Sequence, residues 1–326
     1  MQDFKSLIVI GAPKAGTSTL ARLLASHPEI HQGAIKEPRF FCDFAARRWT
    51  GPGSDEFAAT IVGGHDDYHT LFAGAPSGAW WLDASTDYLA DAGARARLAD
   101  WARTRQTRLI CMLRDPVERA VSQYRHTLRD LLETQTFRRA LALESERIRN
   151  GWQPLFWHAR RSRYHADVCA YIDSFGDDLL LVDFDELRDQ PRLMKRVFAF
   201  LGLTAPANAE TAPGEPLVKN SSHSYRSARL QRLLQHPGLR RAASLVTPQA
   251  VRHRLRNRIE QANRARFEPD EDDLRALHAL LADDTAACLA DDRLPTQSWA
   301  LSRRLIESAQ IVAGPAPDAP SVRNRP

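Results

Sequence analysis

A glycine-rich loop between a short apolar run and a helix-forming stretch constrains the fold of this chain most. The apolar run, residues 7–10, ends at Gly11, and the pattern that follows predicts a helix over residues 17–26. His27-Pro28 should end that helix, because a proline ring disfavours helical backbone in the preceding residue. A strand, a tight loop and a helix start together aim backbone N–H groups at an anion. We therefore predict an anion site close to the start of the chain.

Three further apolar runs have the length and composition of buried strands. They span residues 80–82, 108–113 and 179–182, and each precedes polar residues and a stretch with helical periodicity. Short apolar runs separated by helices are typical of a parallel sheet that is covered on both faces. We predict an α/β fold in which a single domain, residues 1–312, has a central parallel sheet flanked by helices. Its ligand loops should lie at the carboxyl ends of the strands.

The segments between and after these runs show other patterns. Residues 45–77 are rich in glycine, aspartate and histidine and predict an irregular insertion beside a substrate cleft. Helical periodicity returns at residues 271–289. Residues 313–326 are rich in proline and predict a disordered tail.

The composition is that of a globular protein. The 326 residues are 43% hydrophobic and 26% charged, with a formal net charge of +5. The apolar run near the start is too short for a signal peptide core or a membrane span. The four cysteines lie far apart with no CxxC pair, a spacing that predicts neither a metal site nor a disulfide scaffold. We expect a soluble cytoplasmic protein.

The glycine-rich loop departs from the phosphate loop of kinases. That loop has glycine, four residues, glycine, lysine, and then serine or threonine. Gly11 and Gly16 keep this spacing, but Thr17 takes the lysine position and the lysine lies inside the loop as Lys14. An anion other than the triphosphate of ATP or GTP is therefore predicted. The alternative is a plain strand–turn–helix with a helix cap.

A second anion site is predicted directly after the third apolar run. Asp115 can cap a helix whose first residue is Pro116, since both residue types are favoured at those positions. Arg114 ends the strand, and Ser122 lies about two turns into the helix. Both side chains can reach one anion, and the planar guanidinium of arginine suits a phosphate. Two anion sites on neighbouring strand ends suit a bisphosphorylated nucleotide.

Together the two segments resemble the family of sulfotransferases that depend on 3′-phosphoadenosine 5′-phosphosulfate (PAPS). The loop is similar to P-K-x-G-T-[ST], and residues 114–122 are similar to R-[ND]-P-x-x-R-x-x-S. The resemblance implies a P-loop NTPase-like sulfotransferase fold, PAPS as co-substrate and adenosine 3′,5′-bisphosphate as product, with Arg114 and Ser122 at the 3′-phosphate. The residues that it implies for the 5′-phosphosulfate are Lys14, Ala15, Gly16, Thr17, Ser18 and Thr19.

Residues 35–41 resemble the K-E-P/V-x-F-F segment of the carbohydrate and heparan-type branch of that family. The resemblance implies that Glu37 is the general base for the acceptor hydroxyl. An alcohol is a poor nucleophile, and its proton must leave as its oxygen attacks sulfur. Lys14 is the candidate cation for the leaving 5′-phosphate. The alternative makes Glu37 a solvated carboxylate beside Phe40 and Phe41.

Two later segments match the family less well. Residues 83–89 resemble E-K-T-P-x-Y-F, but Ala84 replaces the lysine that helps to bind acidic sugars in the heparan-type enzymes. Residues 219–224 resemble a loop that closes over the nucleotide, which implies nucleotide contacts for Lys219, Asn220 and Ser221. The usual R-K-G form of that loop is missing, and a flexible surface turn is the alternative. Tyr164 is a candidate for the wall of the cleft.

The basic segment from Arg226 to Arg266 has eleven arginines and one acidic residue, Glu260. It has few aromatic residues to stack on bases, so we expect no nucleic-acid partner. A solvated basic surface and an anionic acceptor both remain open. The histidines show no metal-ligand spacing, and no metal is expected.

The sequence thus predicts an O-sulfotransferase that needs no metal. Two alternatives stay open: a small-molecule kinase with an atypical loop, and a nucleotide-binding protein without catalysis. The acceptor is a hydroxyl of a small molecule, a lipid or a glycan.

Overall fold

Five parallel strands form the central sheet in the computed structural model, which describes residues 3–204, 224–225 and 264–313. The strand order is β2-β3-β1-β4-β5. The five strands are β1 (Lys5–Gly11), β2 (Ile30–Gln32), β3 (Trp80–Asp83), β4 (Thr107–Leu113) and β5 (Leu179–Asp183). A separate antiparallel pair joins β6 (Ser224–Tyr225) to β7 (Arg264–Ala265).

Helices flank this sheet and confirm the predicted α/β class. The first five are α1 (Thr17–Leu24), α2 (Ser54–Ala58), α3 (His65–Thr70), α4 (Ala92–Ala102) and α5 (Pro116–Arg129). The remaining described helices are α6 (Phe137–Arg149), α7 (His165–Phe175), α8 (Gln190–Leu201), α9 (Glu271–Ala290) and α10 (Ala300–Ala313). A 3₁₀ segment, Phe184–Arg188, follows β5.

The four predicted strands are the four long strands of the sheet, and both faces of the central ones are covered. In β1, Leu7, Ile8, Val9 and Ile10 are fully buried. Continuous apolar sequence is required there because side chains of a strand point alternately to two buried faces. The strand that sequence reasoning missed is β2, which has only three residues, two of them the polar His31 and Gln32.

The strand order places the ends of β3, β1 and β4 side by side. In the register, β1 pairs with β3 on one side and with β4 on the other, all in parallel. The carboxyl ends of these strands therefore lie at one edge of the sheet. The phosphate loop (residues 11–16), the segment after Asp83 and the segment after Leu113 all begin there.

Other predictions have mixed outcomes. The helix predicted over residues 271–289 is confirmed as α9, whereas residues 45–77 contain α2 and α3 and are less irregular than expected. The prediction that Tyr164 lines the cleft was wrong. Tyr164 precedes α7, and its side chain is buried in the interior, where it packs against Trp299. Lys219, Asn220, Ser221, most of the basic segment and residues 314–326 lie outside the described residues.

Candidate active site

A cleft of about 1640 Å³ opens at the edge where β1, β3 and β4 end. It brings together the phosphate loop, the start of α5 and the loop that carries Glu37. The predicted residues that line it are Lys14, Gly16, Thr17, Ser18, Thr19, Glu37, Arg114 and Ser122. Ala15 is fully buried beneath the loop. One cavity thus contains the residues of both predicted anion sites.

At the start of α1, no side chain caps the backbone N–H groups of the helix. Gly16 occupies the N-cap position in the left-handed region, with φ 86°, and no side-chain cap hydrogen bond forms. A Cβ at Gly16 would collide with Leu187, so glycine is required for both conformation and packing. The first N–H groups of a helix have no intrahelical partner. A bound anion can therefore accept hydrogen bonds from these N–H groups.

Lys14 lies in the phosphate loop among other cations. Burial and the nearby guanidinium of Arg129 lower the pKa of Lys14 to about 8, although Asp130 opposes the shift. Lys36 lowers it further. The repulsion among these positive charges decreases when an anion binds beside Lys14.

The second predicted anion site follows β4. The carboxylate of Asp115 accepts hydrogen bonds from the backbone N–H groups of Val117 and Glu118, at 3.0 and 3.2 Å, which confirms the predicted helix cap. Arg114 pairs with Glu118 at 2.8 Å and lies over the Phe184 ring, 4.5 Å from its centroid. Ser122 lines the cleft further along α5.

The two sites are contiguous. The guanidinium of Arg114 donates a hydrogen bond to the carbonyl of Lys14 at 3.2 Å. Arg119, the second arginine of the same motif, has a different position: it is fully buried and donates to the Ser162 hydroxyl at 2.6 Å and to the carbonyl of His158. Arg119 therefore joins α5 to the 158–162 segment, while Arg114 lines the cleft.

The Glu37 loop, residues 36–41, forms the opposite wall of the cleft. Lys36 donates to the Ser18 hydroxyl at 2.7 Å and thereby joins this loop to the start of α1. The Glu37 side chain is 19% exposed, and its Oε2 lies 2.7 Å from the guanidinium of Arg39. Its Oε1 lies 3.5 Å from both the Thr86 hydroxyl and the Lys36 ammonium. Glu37 therefore combines solvent access with a fixed orientation.

Sequence reasoning missed the ion network behind Glu37. Asp87 accepts from Arg39 at 2.6 Å through one oxygen and pairs with Arg161 at 2.7 Å through the other. Burial tends to raise the pKa of the Asp87 carboxyl, but Arg161 and Arg39 hold it below its ordinary value. Nothing in the spacing of these residues indicates that they meet.

Two other titratable groups near the cleft have distinct environments. Asp83 is buried behind Tyr68 and Tyr88, whose hydroxyls donate to it at 3.2 and 2.7 Å, and burial raises its pKa to about 6. His126 lines the cleft beside Asp130, at 3.2 Å, and burial together with Lys14 lowers its pKa to about 4. Asp83 is thus separated from the cleft, and His126 is neutral at physiological pH.

In the part of the chain that the structure describes, one group of side chains has metal-ligand chemistry. It consists of His165, Cys169 and Asp291, away from the cleft. Arg293 donates to Asp291 at 2.7 Å and to the Cys169 sulfur at 3.2 Å. A guanidinium therefore already supplies a positive charge to this group.

A parallel sheet with helices that begin just beyond its strand ends defines an α/β protein with a P-loop-like fold. The model of the sulfotransferase family matches residues 6–207. That match covers more than half of the chain, so the chain belongs to the sulfotransferase family.

Known proteins of the same family are similar to this chain. Heparan sulfate glucosamine 3-O-sulfotransferase 3B1 of Mus musculus is 32% identical over 202 residues, which are 60% of this chain and 45% of that protein. Its Homo sapiens counterpart is 31% identical over 130 residues, or 40% and 28% of the two chains. This chain spans less than half the length of these curated relatives.

Among solved structures, a sulfotransferase from Alicyclobacillus acidocaldarius is similar over most of its length. It is 29% identical, with a TM-score of 0.66, and the match covers 90% of this chain and 98% of that one. The predicted sulfotransferase fold is thereby confirmed. Within the described ranges, no helix has both the length and the apolar character of a membrane span.

Proposed function

We propose that this chain is a PAPS-dependent O-sulfotransferase in which Glu37 is the general base and Lys14 stabilises the leaving phosphate. The observation that carries the proposal is the meeting of three features in one cleft: the phosphate loop, Arg114 with Ser122, and Glu37. A donor with phosphate groups at both its 5′ and 3′ positions matches the two anion sites. Membership of the sulfotransferase family supports the reaction class.

The donor's phosphosulfate would be bound by Lys14, the N–H groups at the start of α1 and the hydroxyls of Thr17, Ser18 and Thr19. Its 3′-phosphate would bind Arg114 and Ser122, replacing Glu118 as the partner of the arginine. This arrangement fixes the donor at both ends, so that the sulfur faces the wall that carries Glu37. Lys219, Asn220 and Ser221 remain proposed nucleotide contacts.

The chemistry requires one proton acceptor and one stabilised leaving group. The acceptor oxygen attacks sulfur, its proton passes to a carboxylate oxygen of Glu37, and the bond from sulfur to the 5′-phosphate oxygen breaks. The electrons of that bond remain on adenosine 3′,5′-bisphosphate. Lys14 and the helix-start N–H groups stabilise the charge that develops there.

The acceptor side of the cleft is formed partly by residues of the 45–77 segment, including Glu56, Phe57 and Thr60. The curated relatives are named for transfer to a glucosamine of heparan sulfate. A glycan hydroxyl is therefore the first acceptor class to test. Because Ala84 replaces the lysine of the heparan-type segment, we propose that glycans with fewer acidic groups are preferred to heavily sulfated ones.

The deciding experiment is a transfer assay with radiolabelled PAPS and a panel of glycan, lipid and phenolic hydroxyl acceptors in excess EDTA. We expect labelled product from PAPS in EDTA and no phosphoryl transfer from ATP, since Thr17 stands where a kinase has lysine. Activity that is lost with EDTA and restored by magnesium, with ATP as donor, would establish the kinase alternative. Nucleotide binding without transfer to any acceptor class would favour the non-catalytic alternative.

A further inference from the structure

Arg39 connects Glu37 to the buried end of β3. Its Nη2 donates to Glu37 Oε2 at 2.7 Å, and its Nη1 donates to the Glu37 carbonyl at 2.9 Å. On its other side, Nε donates to Asp87 at 2.6 Å. One planar guanidinium thus holds both the carboxylate and the backbone of Glu37 and is itself anchored in the interior.

The anchor is buried and paired on both sides. The Arg39 side chain is 11% exposed and Asp87 is 4% exposed, and Asp87 also pairs with Arg161. The backbone N–H of Arg39 donates to the Ser85 hydroxyl at 3.0 Å. Side-chain and backbone contacts therefore fix the same residue to the segment that follows β3.

The local backbone needs such an anchor. Glu37 and Arg39 both have left-handed conformations, with φ 59° and 55°. These values are unfavourable for residues with a side chain and persist only where surrounding contacts impose them. Arg39 provides several of these contacts, so that the loop conformation and the carboxylate orientation depend on the same side chain.

We infer that Arg39 is a positioning residue for the transfer reaction: it holds Glu37 Oε2 and leaves Oε1 to accept the acceptor proton. This inference rests on the proposed function of Glu37. Among the described residues, Oε1 has only the two contacts at 3.5 Å, from the Thr86 hydroxyl and the Lys36 ammonium, whereas Oε2 is held at 2.7 Å. The two oxygens of one carboxylate thus have separate tasks, orientation and proton transfer.

Arg39 also links the base to the acceptor side. Its Nη1 donates to the Thr60 hydroxyl at 2.8 Å, and its guanidinium lies 4.7 Å from the centroid of the Phe57 ring. Both residues belong to the segment that lines the acceptor side of the cleft. Because Arg39 contacts both Phe57 and Glu37, an acceptor that binds against Phe57 is positioned relative to the base.

The test compares Arg39→Met with wild type for turnover, for the KM of PAPS and for calorimetric affinity for adenosine 3′,5′-bisphosphate. A misplaced base should lower kcat by about 10²-fold. The KM of the donor and the product affinity should stay within about threefold, since the hydrogen bonds of Arg39 go to Glu37, Thr60, Ser85 and Asp87 and to neither predicted anion site. Arg39→Lys keeps a charge but cannot bridge Glu37 and Asp87, so it should remain at least about tenfold below wild type.

The matched control is Arg97→Met. Arg97 donates to the Phe41 carbonyl at 2.6 Å and so supports the far end of the same loop without touching Glu37. Arg97 is 40% exposed, so we expect a smaller loss of thermal stability in Arg97→Met than in Arg39→Met, and turnover within about twofold of wild type. Equal losses of turnover would show that Arg39 only stabilises the loop, and would overturn the inference.

A double variant separates this inference from the assignment of Glu37. If Arg39 acts through Glu37, then Glu37→Gln with Arg39→Met should be no slower than Glu37→Gln alone. Multiplied losses contradict the inference while leaving Glu37 as base. A fully active Glu37→Gln contradicts the proposed function itself. Should the Arg39 variants fail to fold, Asp87→Asn releases the anchor with little change in size, and unchanged kcat in that variant would refute the role.

Discussion

The phosphate loop and the Glu37 loop face each other across the cleft, but different interactions hold them in place. The phosphate loop is fixed by the elements on either side of it, a buried strand and a helix whose start requires Gly16. The Glu37 loop is held by side chains almost fifty residues further along the chain, Ser85 and Asp87. The proposed donor loop is thus held by local structure, whereas the position of the proposed base, Glu37, depends on long-range contacts.

Because the two loops are held by different interactions, substitutions should affect nucleotide affinity and the rate of the chemical step separately. Side chains on the donor wall should control nucleotide affinity, and side chains behind Glu37 should control the rate of the chemical step. The substitutions below change Glu37, the buried Asp83 behind its loop, and two residues of the donor wall, one at a time.

Glu37→Gln should give the largest effect. Glutamine keeps the size of glutamate but cannot take up the acceptor proton, so turnover should fall by about 10²–10⁴-fold. Affinity for adenosine 3′,5′-bisphosphate should change little, and calorimetry beside the transfer assay measures both. More than about a tenth of wild-type turnover would rule out Glu37 as the base.

The pH dependence of stability should change in Asp83→Asn. Burial raises the pKa of Asp83 from 3.8 to about 6, so the folded protein keeps a proton that the unfolded chain releases between these values. Stability contributed by this group is present below pH 4 and is lost as the pH rises to 6, a change of about 3 kcal/mol.

Denaturant unfolding of wild type and Asp83→Asn at pH 4 and pH 7 measures this difference. We expect the variant to gain relative to wild type at the higher pH, because asparagine has no proton to lose. A constant difference between the two proteins would show that Asp83 does not titrate in this range.

Arg114→Ala should weaken adenosine 3′,5′-bisphosphate and spare adenosine 5′-phosphate. The lost charge-assisted contact contributes about 2 kcal/mol, or roughly 30-fold in affinity. Calorimetry of both nucleotides against both proteins separates a 3′-phosphate site from a general loss of binding. If wild type binds the two nucleotides equally, the second anion site is refuted.

The smallest predicted effect is the pH dependence of donor binding through Lys14. Since the pKa of Lys14 is about 8, the free protein loses this charge as the pH rises from 7 to 9. Affinity for the 5′-phosphosulfate should fall by about tenfold over that range, because the anion binds the protonated form. Lys14→Met should bind weakly at both pH values, and an equal pH slope in the variant would assign the titration elsewhere.

The sequence predicted the donor side far better than the wall opposite it. The strands, the glycine-rich loop and the cap at Asp115 are local patterns, and the structure confirms each of them. The network of Arg39, Asp87 and Arg161 could not be predicted, because it depends on which strand ends become neighbours. The burial of Arg119 could not be predicted either, because Arg114 and Arg119 are both arginines of one motif and the sequence does not distinguish the buried one.

The strand order β2-β3-β1-β4-β5 has a consequence for how such a protein can diversify. The central strands β1 and β4 lead into the proposed donor site and pair with neighbours on both sides. The long connection from β2 to β3, by contrast, lies towards one edge and contributes Phe57 and Thr60 to the cleft. Insertions or exchanges in that connection should therefore change the proposed acceptor side of the cleft and leave the proposed donor site unchanged.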